Sequence, residues 1–175
     1  FAPFTAQGRK RITQLINKTN QFNVATRRYT EQQVASLESS GEHYTLQYSV
    51  RDRFGDNGMI GVVICAIDGE TWHVDSWLMS CRVLNRGVEQ AVCNRLVDDA
   101  RRAGARSIRG TYVPTDRNGM VKDLFQKLGF TRDGDESAGR QCWSLAVDAY
   151  VPHRVFAIER AAARAPQLAV GAAAT

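Results

Sequence analysis

Residues 77–89 read WLMSCRVLNRGVE: an apolar run, a basic loop with a single glycine, then the opening of a helix. A strand that feeds its chain into such a loop leaves the first N–H groups of the next helix unpaired, which makes a nest for a phosphate or pyrophosphate. Two residues depart from that design. Glu89 stands two positions after Gly87, where a second small residue belongs, and Cys81 stands at the strand's end. A carboxylate there repels a pyrophosphate. As a first-turn residue it also gains up to about 1 kcal/mol from the helix dipole, so Glu89 has a plain structural reading as well.

The sequence organises itself around this joint. From Val88 the apolar period becomes 3.6, with Val88, Ala91, Val92, Leu96 and Ala100 on one stripe, and Gly104 ends the helix. Upstream, RKRITQLINK predicts a short helix. Thr30 and Gln33, at capping-box spacing, predict a second over Glu31–Leu37. Asn17–Asn23 (NKTNQFN) is predicted as an ordered loop, because asparagine competes with helical hydrogen bonding. HYTLQYSV alternates as a half-buried strand, RFGDNG is turn chemistry, and MIGVVICAI is apolar throughout, as in a strand covered on both faces. A tight DGE turn returns the chain through TWHVDSWLM. Downstream come a strand in RSIRGTYV, a helix capped by Thr115 or Asp116 and running through Lys127, and a last strand in QCWSLAV. The order is ααβββαβαβ.

At 175 residues and 43% hydrophobic, this is one ordinary globular domain. The expected boundaries are a linker remnant over 1–8, the domain over 9–153, and a partly helical or disordered tail over 154–175. No stretch approaches a membrane span. The four cysteines, Cys65, Cys81, Cys93 and Cys142, show neither a CxxC nor ligand spacing to histidine. No metal site and no disulfide framework are expected, and a reducing cytoplasm fits. Cys65, Cys93 and Cys142 fall in apolar patterns and read as buried thiols. The net charge of +5 favours acidic partners. With no RNP pattern, finger or aromatic–basic interleaving, nucleic acid is not an expected partner.

The strand–basic loop–helix, followed by NGMVKDLFQKLGF (Asn118–Phe130), resembles the Gcn5-related N-acetyltransferase (GNAT) fold. The resemblance implies an α+β domain with a mixed, mostly antiparallel sheet and flanking helices. A narrower resemblance covers nearly the whole chain. RITQLINKTNQFN, RRYTEQQV, DRFGDNGMIGVVI, WLMSCRVLNRGVEQAV and NGMVKDLFQKLGF look like the C-terminal, GNAT-like half of FkbH-type glyceryl-transferase/phosphatases of polyketide biosynthesis. In that family a haloacid-dehalogenase-like phosphatase domain precedes this half, takes D-1,3-bisphosphoglycerate, and yields a glyceryl thioester on an acyl carrier protein. This chain has no DxDx[TV] motif. The resemblance thus implies an acyltransferase whose co-substrate is the carrier's phosphopantetheine arm.

Against the acetyltransferase pattern, LNRGVE departs from [QR]-x-x-G-x-[GA], so coenzyme A is not expected to be held tightly. Phe125 replaces the tyrosine that protonates a departing thiolate in many acetyltransferases, and phenylalanine has no proton to give. Cys81 then becomes the catalytic candidate. Arg82, Arg86 and the following helix N-terminus favour its thiolate, which takes the acyl group of an acyl phosphate and passes it on by thioester exchange. An inert thiol at a strand end is the alternative. No Cys–His dyad is expected, since His73 lies eight residues back along one strand, roughly 26 Å at 3.3 Å per residue. Asn20, Gln21, Asn23, Asn57 and Asn118 are candidate substrate-binding groups, or loops satisfying their own backbones. Arg82, Arg86, Gly87, Arg101 and Arg102 are candidate pantetheine and carrier contacts. Two other functions stay open: a non-catalytic carrier-docking module, and an N-acetyltransferase using acetyl-coenzyme A.

Overall fold

The apolar pattern of the β-rich middle builds one six-stranded sheet, seen in a computed structural model that describes residues 1–53, 55–84, 86–134 and 139–155. The helices are α1 (Arg9–Lys18), α2 (Glu31–Glu38), α3 (Val88–Arg102) and α4 (Leu124–Lys127). The strands are β1 (His43–Asp52), β2 (Gly55–Asp68), β3 (Thr71–Met79), β4 (Ser107–Tyr112), β5 (Thr131–Asp133) and β6 (Gln141–Ala146). The spatial order is β1-β2-β3-β4-β6-β5; β3 and β4 run parallel and the other neighbours antiparallel.

Two apolar layers sandwich the sheet. Ile12, Leu15 and Ile16 of α1 and Val34 and Leu37 of α2 pack on Val62, Ile64 and Leu78. The stripe of α3, with Leu124 and Phe125 of α4, packs on the other face, against Leu46, Tyr48, Val63, Trp77 and Ile108. Each such side chain fully buried is worth about 1.5–3 kcal/mol. The Thr30–Gln33 capping box forms as read. Phe4 is buried and Ala2 pairs with Gln47, so the segment expected as a linker remnant lies against β1.

Three local readings need correction. α1 continues through Lys18, so Asn17 is helical, and its amide donates to Tyr29 O (2.8 Å). The helix expected from Thr115 or Asp116 is α-helical only over Leu124–Lys127, after a 3-10 turn at Gly119–Val121. Its would-be start is held back because Asn118 turns its side chain into the core. The strand β5 was not expected; three polar residues, TRD, carry no alternation to read. The tail reading beyond residue 155 lies outside the described residues.

The feature that positions the site is a parting of strands. The β3–β4 ladder runs from Thr71↔Ser107 to Val74↔Gly110 and stops, while both strands continue. It stops at a bulge: Val74 faces Cys65 and Ser76 faces Ile64, which leaves Asp75 as the extra residue. Bulges of this kind bend a strand and re-aim its side chains.

Candidate functional site

The gap opened at Asp75 is filled by the chain itself. Residues 22–24, from the α1–α2 loop, lie between the parted strands: Met79 N–H donates to Phe22 O (3.1 Å), Val24 N–H to Trp77 O (3.2 Å), and Val113 N–H to Val24 O (2.8 Å). Phe22, Asn23 and Val24 are all buried. Asn118 fastens this plug. Its Nδ2 donates to Asn23 O (3.0 Å) and Val113 O (2.9 Å), while its Oδ1 accepts from Thr115 N–H (2.8 Å) and the Tyr112 hydroxyl (3.2 Å).

Cys81 sits beyond the plug, on the rim where β3 gives way to a 3-10 turn, and it is exposed. Its surroundings are less cationic than the sequence implied. Arg82 is exposed beside it, but Arg86 pairs with Asp52 of β1 at 2.7 Å, and Asn57 donates to the same carboxylate oxygen at 3.1 Å. Gly87 caps α3 in the left-handed region (φ 71°), where a Cβ-bearing residue is strained. The segment after β6 reaches this cap. Val155 Cγ1 lies 3.4 Å from where a Gly87 side chain would start, and Asn94 grips His153 by its backbone, donating to O and accepting from N–H (both 2.9 Å).

Glu89 is only partly exposed, and its Oε2 is buried with no hydrogen-bond partner among the described residues. Burial raises the Tyr48 phenol well above its ordinary range, Trp77 works against that, and the Glu89 carboxylate adds to it.

The other expected contacts divide. Arg101 and Arg102 occupy the last turn of α3, about 20 Å from Gly87 at 1.5 Å per residue, and do not join the rim. Arg101 donates to Val147 O, and Arg102 pairs with Asp98 and Asp99. This corrects their placement at a pantetheine entrance. Asn23 and Asn118 are buried scaffolding: Asn23 donates to Thr19 O (3.1 Å) and accepts from Thr26 N–H (2.9 Å). Asn20 accepts from Arg28, and Gln21 is exposed on the same loop. His73 pairs with Ala66 and Arg109 in the lower half of β3, away from Cys81. Cys142 is half-buried rather than buried.

One group of residues escaped the sequence reading. At the bulge, Asp75 pairs with Arg27 (2.8 Å), whose guanidinium carbon also lies 5.9 Å from the centre of the Tyr29 ring. The large residues of β3 that pack on the α3 side fall at 72 and 74 and then at 77 and 79, with Leu78 buried on the opposite face. That change of parity at Asp75–Ser76 is what a bulge produces.

No family model and no curated protein matches the sequence. Solved structures do match the architecture. The GNAT domain of the S. lividans protein PAT has a TM-score of 0.65 at 16% identity, over 83% of this chain and 88% of that one. The ribosomal-protein-S18-alanine N-acetyltransferase from Escherichia coli has a TM-score of 0.60 at 12% identity, over 83% and 92%. The spermidine N-acetyltransferase from Vibrio cholerae, solved with CoA and spermine, has a TM-score of 0.60 at 12% identity, over 84% and 94%. The chain has the GNAT fold. At these identities the likeness is one of fold. In this chain, backbone residues 22–24 stand between the parted strands, and an exposed thiol lies two residues past the end of β3.

Thiol labelling of the native protein checks the layout. Cys81 is expected to react first with an aromatic disulfide reagent and Cys142 more slowly. Cys65 and Cys93 are expected to react only on unfolding, since burial raises both thiols, Cys93 to about 12. Fast labelling at Cys93 in peptide mapping contradicts the packing of α3.

Proposed function

We propose that the chain is the acyl-transfer domain of an FkbH-like enzyme. It moves a glyceryl unit, through a thioester on Cys81, onto the phosphopantetheine of an acyl carrier protein in polyketide biosynthesis. The observation that carries this reading is the exposed Cys81, two residues past Met79, whose N–H is bonded to the plug. A pantetheine lying along β3 needs the peptide groups of Trp77 and Met79, and those are already bonded to Val24 and Phe22. These occupied peptide groups favour a carrier's arm over coenzyme A. A carrier's arm that only touches the rim needs none of them.

The chemistry asks little of the protein. The Cys81 thiolate attacks the carbonyl of an acyl phosphate, the C–O bond to phosphate breaks, and phosphate leaves with the electron pair. The arm's thiolate then attacks the new thioester and expels Cys81 as thiolate. An acyl phosphate is already activated, so no strong acid is required, in keeping with Phe125. The acyl phosphate comes from a haloacid-dehalogenase-like partner domain, and the acidic carrier is drawn by the net positive charge. The work belongs to the cytoplasm.

Intact-mass analysis tests this directly. Incubated with a glyceryl phosphate anhydride donor and a carrier protein, the wild-type chain is expected to gain one glyceryl unit, and Cys81→Ala none, with carrier loading falling at least about a hundredfold. A carrier that loads at the full rate with Cys81→Ala removes the covalent role and leaves the docking-module reading. Acetyl transfer to an amine from acetyl-coenzyme A favours the N-acetyltransferase reading instead.

A further inference from the structure

Over much of the molecule the arginines are matched by acids: Arg9, Arg86, Arg95, Arg102 and Arg106 each pair with a carboxylate. One end of the sheet differs. β3 and β4 run parallel, so both finish at that end, with residues 22–24 between them. Five basic side chains gather around it: Lys18, Arg28, Arg82, Arg117 and Lys122. All five are exposed, and among the described residues none forms an ion pair with a carboxylate.

Their neighbours place each of them beside the plug. Lys18 closes α1, and the next residue, Thr19, accepts from the Asn23 amide at 3.1 Å. Arg28 donates to Ile16 O (2.6 Å) and to the Asn20 side chain. Arg82 follows Cys81, three residues past Met79, whose N–H donates to Phe22 O. Arg117 precedes Asn118, whose amide donates to Asn23 O at 3.0 Å, and Lys122 closes the 3-10 turn that Asn118 opens. In that same turn Met120 is 51% exposed, one of three exposed large hydrophobic side chains among the described residues. Two exposed acids, Asp116 and Asp123, share the loop and leave the cations in excess.

The spread of the charges selects the class of partner. They stand on four separate segments, and β3 and β4 alone are about 10 Å apart across the plug, two strand spacings. A phosphate or carboxylate is held by cations that converge on one point, which these do not. A protein with an acidic face spans them. The methionine among the charges supplies the kind of apolar contact that protein interfaces favour. No exposed aromatic ring stands among these described residues to stack on a base, which disfavours a single-stranded nucleic acid.

We infer that this end of the sheet is a docking surface for an acidic protein, with Lys18, Arg82, Arg117 and Lys122 meeting its charges and Met120 an apolar side chain. On the proposed function that protein is the carrier, and its arm enters beside Cys81. The identity of the partner rests on that reading; the surface itself does not require Cys81 to react. Exposed charges act over about 8 Å at physiological salt, so the docking is weak and salt-sensitive.

The test titrates the ¹⁵N-labelled chain with an acidic acyl carrier protein, prepared with and without its phosphopantetheine arm. Both forms are expected to shift the amides of residues 18–21, 82 and 117–122, and to bind within about threefold of each other. Lys18→Glu, Arg117→Glu and Lys122→Glu together are expected to weaken binding at least about tenfold. The same change of charge placed elsewhere, by Lys10→Glu, Arg106→Glu and Arg109→Glu, is expected to weaken it less than about threefold. Met120→Ala is expected to weaken it at least about threefold with the salt dependence unchanged, which a purely electrostatic encounter does not give. All these side chains are exposed, and unchanged melting temperatures show that the fold is kept. Equal losses from the two charge reversals, shifts confined elsewhere, or binding that needs the arm overturns the surface. A duplex DNA or single-stranded RNA that binds tighter than the carrier at the same salt overturns it in favour of nucleic acid. A chain that loads a carrier through Cys81 while the first reversal leaves carrier binding unchanged sinks this inference alone. One that docks the carrier as described yet never acylates Cys81 sinks only the role of that thiol.

Discussion

Asn118→Ala is expected to destabilise the chain by about 4 kcal/mol, a large part of the 5–15 kcal/mol that holds an ordinary domain together. The side chain is 0% exposed and makes four hydrogen bonds. Alanine leaves Asn23 O, Val113 O and Thr115 N–H without those partners, at about 1–3 kcal/mol for each buried group. Some of that is recovered if the plug loosens and water enters, which sets the total below the simple sum. The urea midpoint should fall with little change in slope. Asn118→Asp keeps the acceptor but loses both donors, and it brings a charge into a dry site, so it should be no better than alanine. A loss under about 1 kcal/mol contradicts the view that this side chain fastens the plug. The residue counted among the substrate-binding candidates thus belongs to the scaffold, where its two-sided amide joins a loop to a strand.

The same residue shows what the sequence can and cannot reveal. The 3.6 period of Val88–Ala100, the continuous apolar run of β2 and the turn glycines are local signals, and each corresponds to an element of the sheet or its layers. The fold follows from their order. The filling of the gap does not, because it depends on backbone bonds between residues 22–24 and residues 77–113, which no spacing announces. Asn118 and Asn23 read equally well as ligands or as scaffolding until their partners are seen. Arg101 and Arg102 are close in sequence to the α3 stripe, yet a 15-residue helix carries them to the wrong end of it. Cys81 was legible as a thiol at the end of a strand, and it is exposed there. Asp75 was legible only as a polar residue within a strand; neither the bulge it makes nor the loop that brings Arg27 and Tyr29 to it is announced by the sequence.

Gly110→Ala should be nearly as damaging, at about 3 kcal/mol or more. A Cβ at Gly110 meets the Phe125 ring at 2.3 Å (Cε1), 2.4 Å (Cζ) and 2.7 Å (Cδ1). Contacts that short require the ring to move. It has nowhere to go: Phe125 is 0% exposed, with Trp77 edge-on at 6.3 Å and Phe130 at 5.1 Å between ring centres. Overpacking of a locked core typically costs 1–3 kcal/mol and occasionally more, and here the intruding atom is fixed to a central strand. The pair can be separated by a double-mutant cycle. In a Phe125→Leu background the smaller side chain leaves room, so Gly110→Ala should cost at least about 1 kcal/mol less than it does alone. Additive effects would contradict the contact. The geometry also bears on chemistry, because the ring edge that rests on Gly110 includes Cζ, the atom that would carry a tyrosine hydroxyl. Phe125→Tyr therefore drives a hydroxyl toward the backbone of β4 and buries it. It is expected to lower stability by about 1–3 kcal/mol without creating acetyl transfer. Phe125 is a packing residue, shaped by a glycine on the strand beneath it.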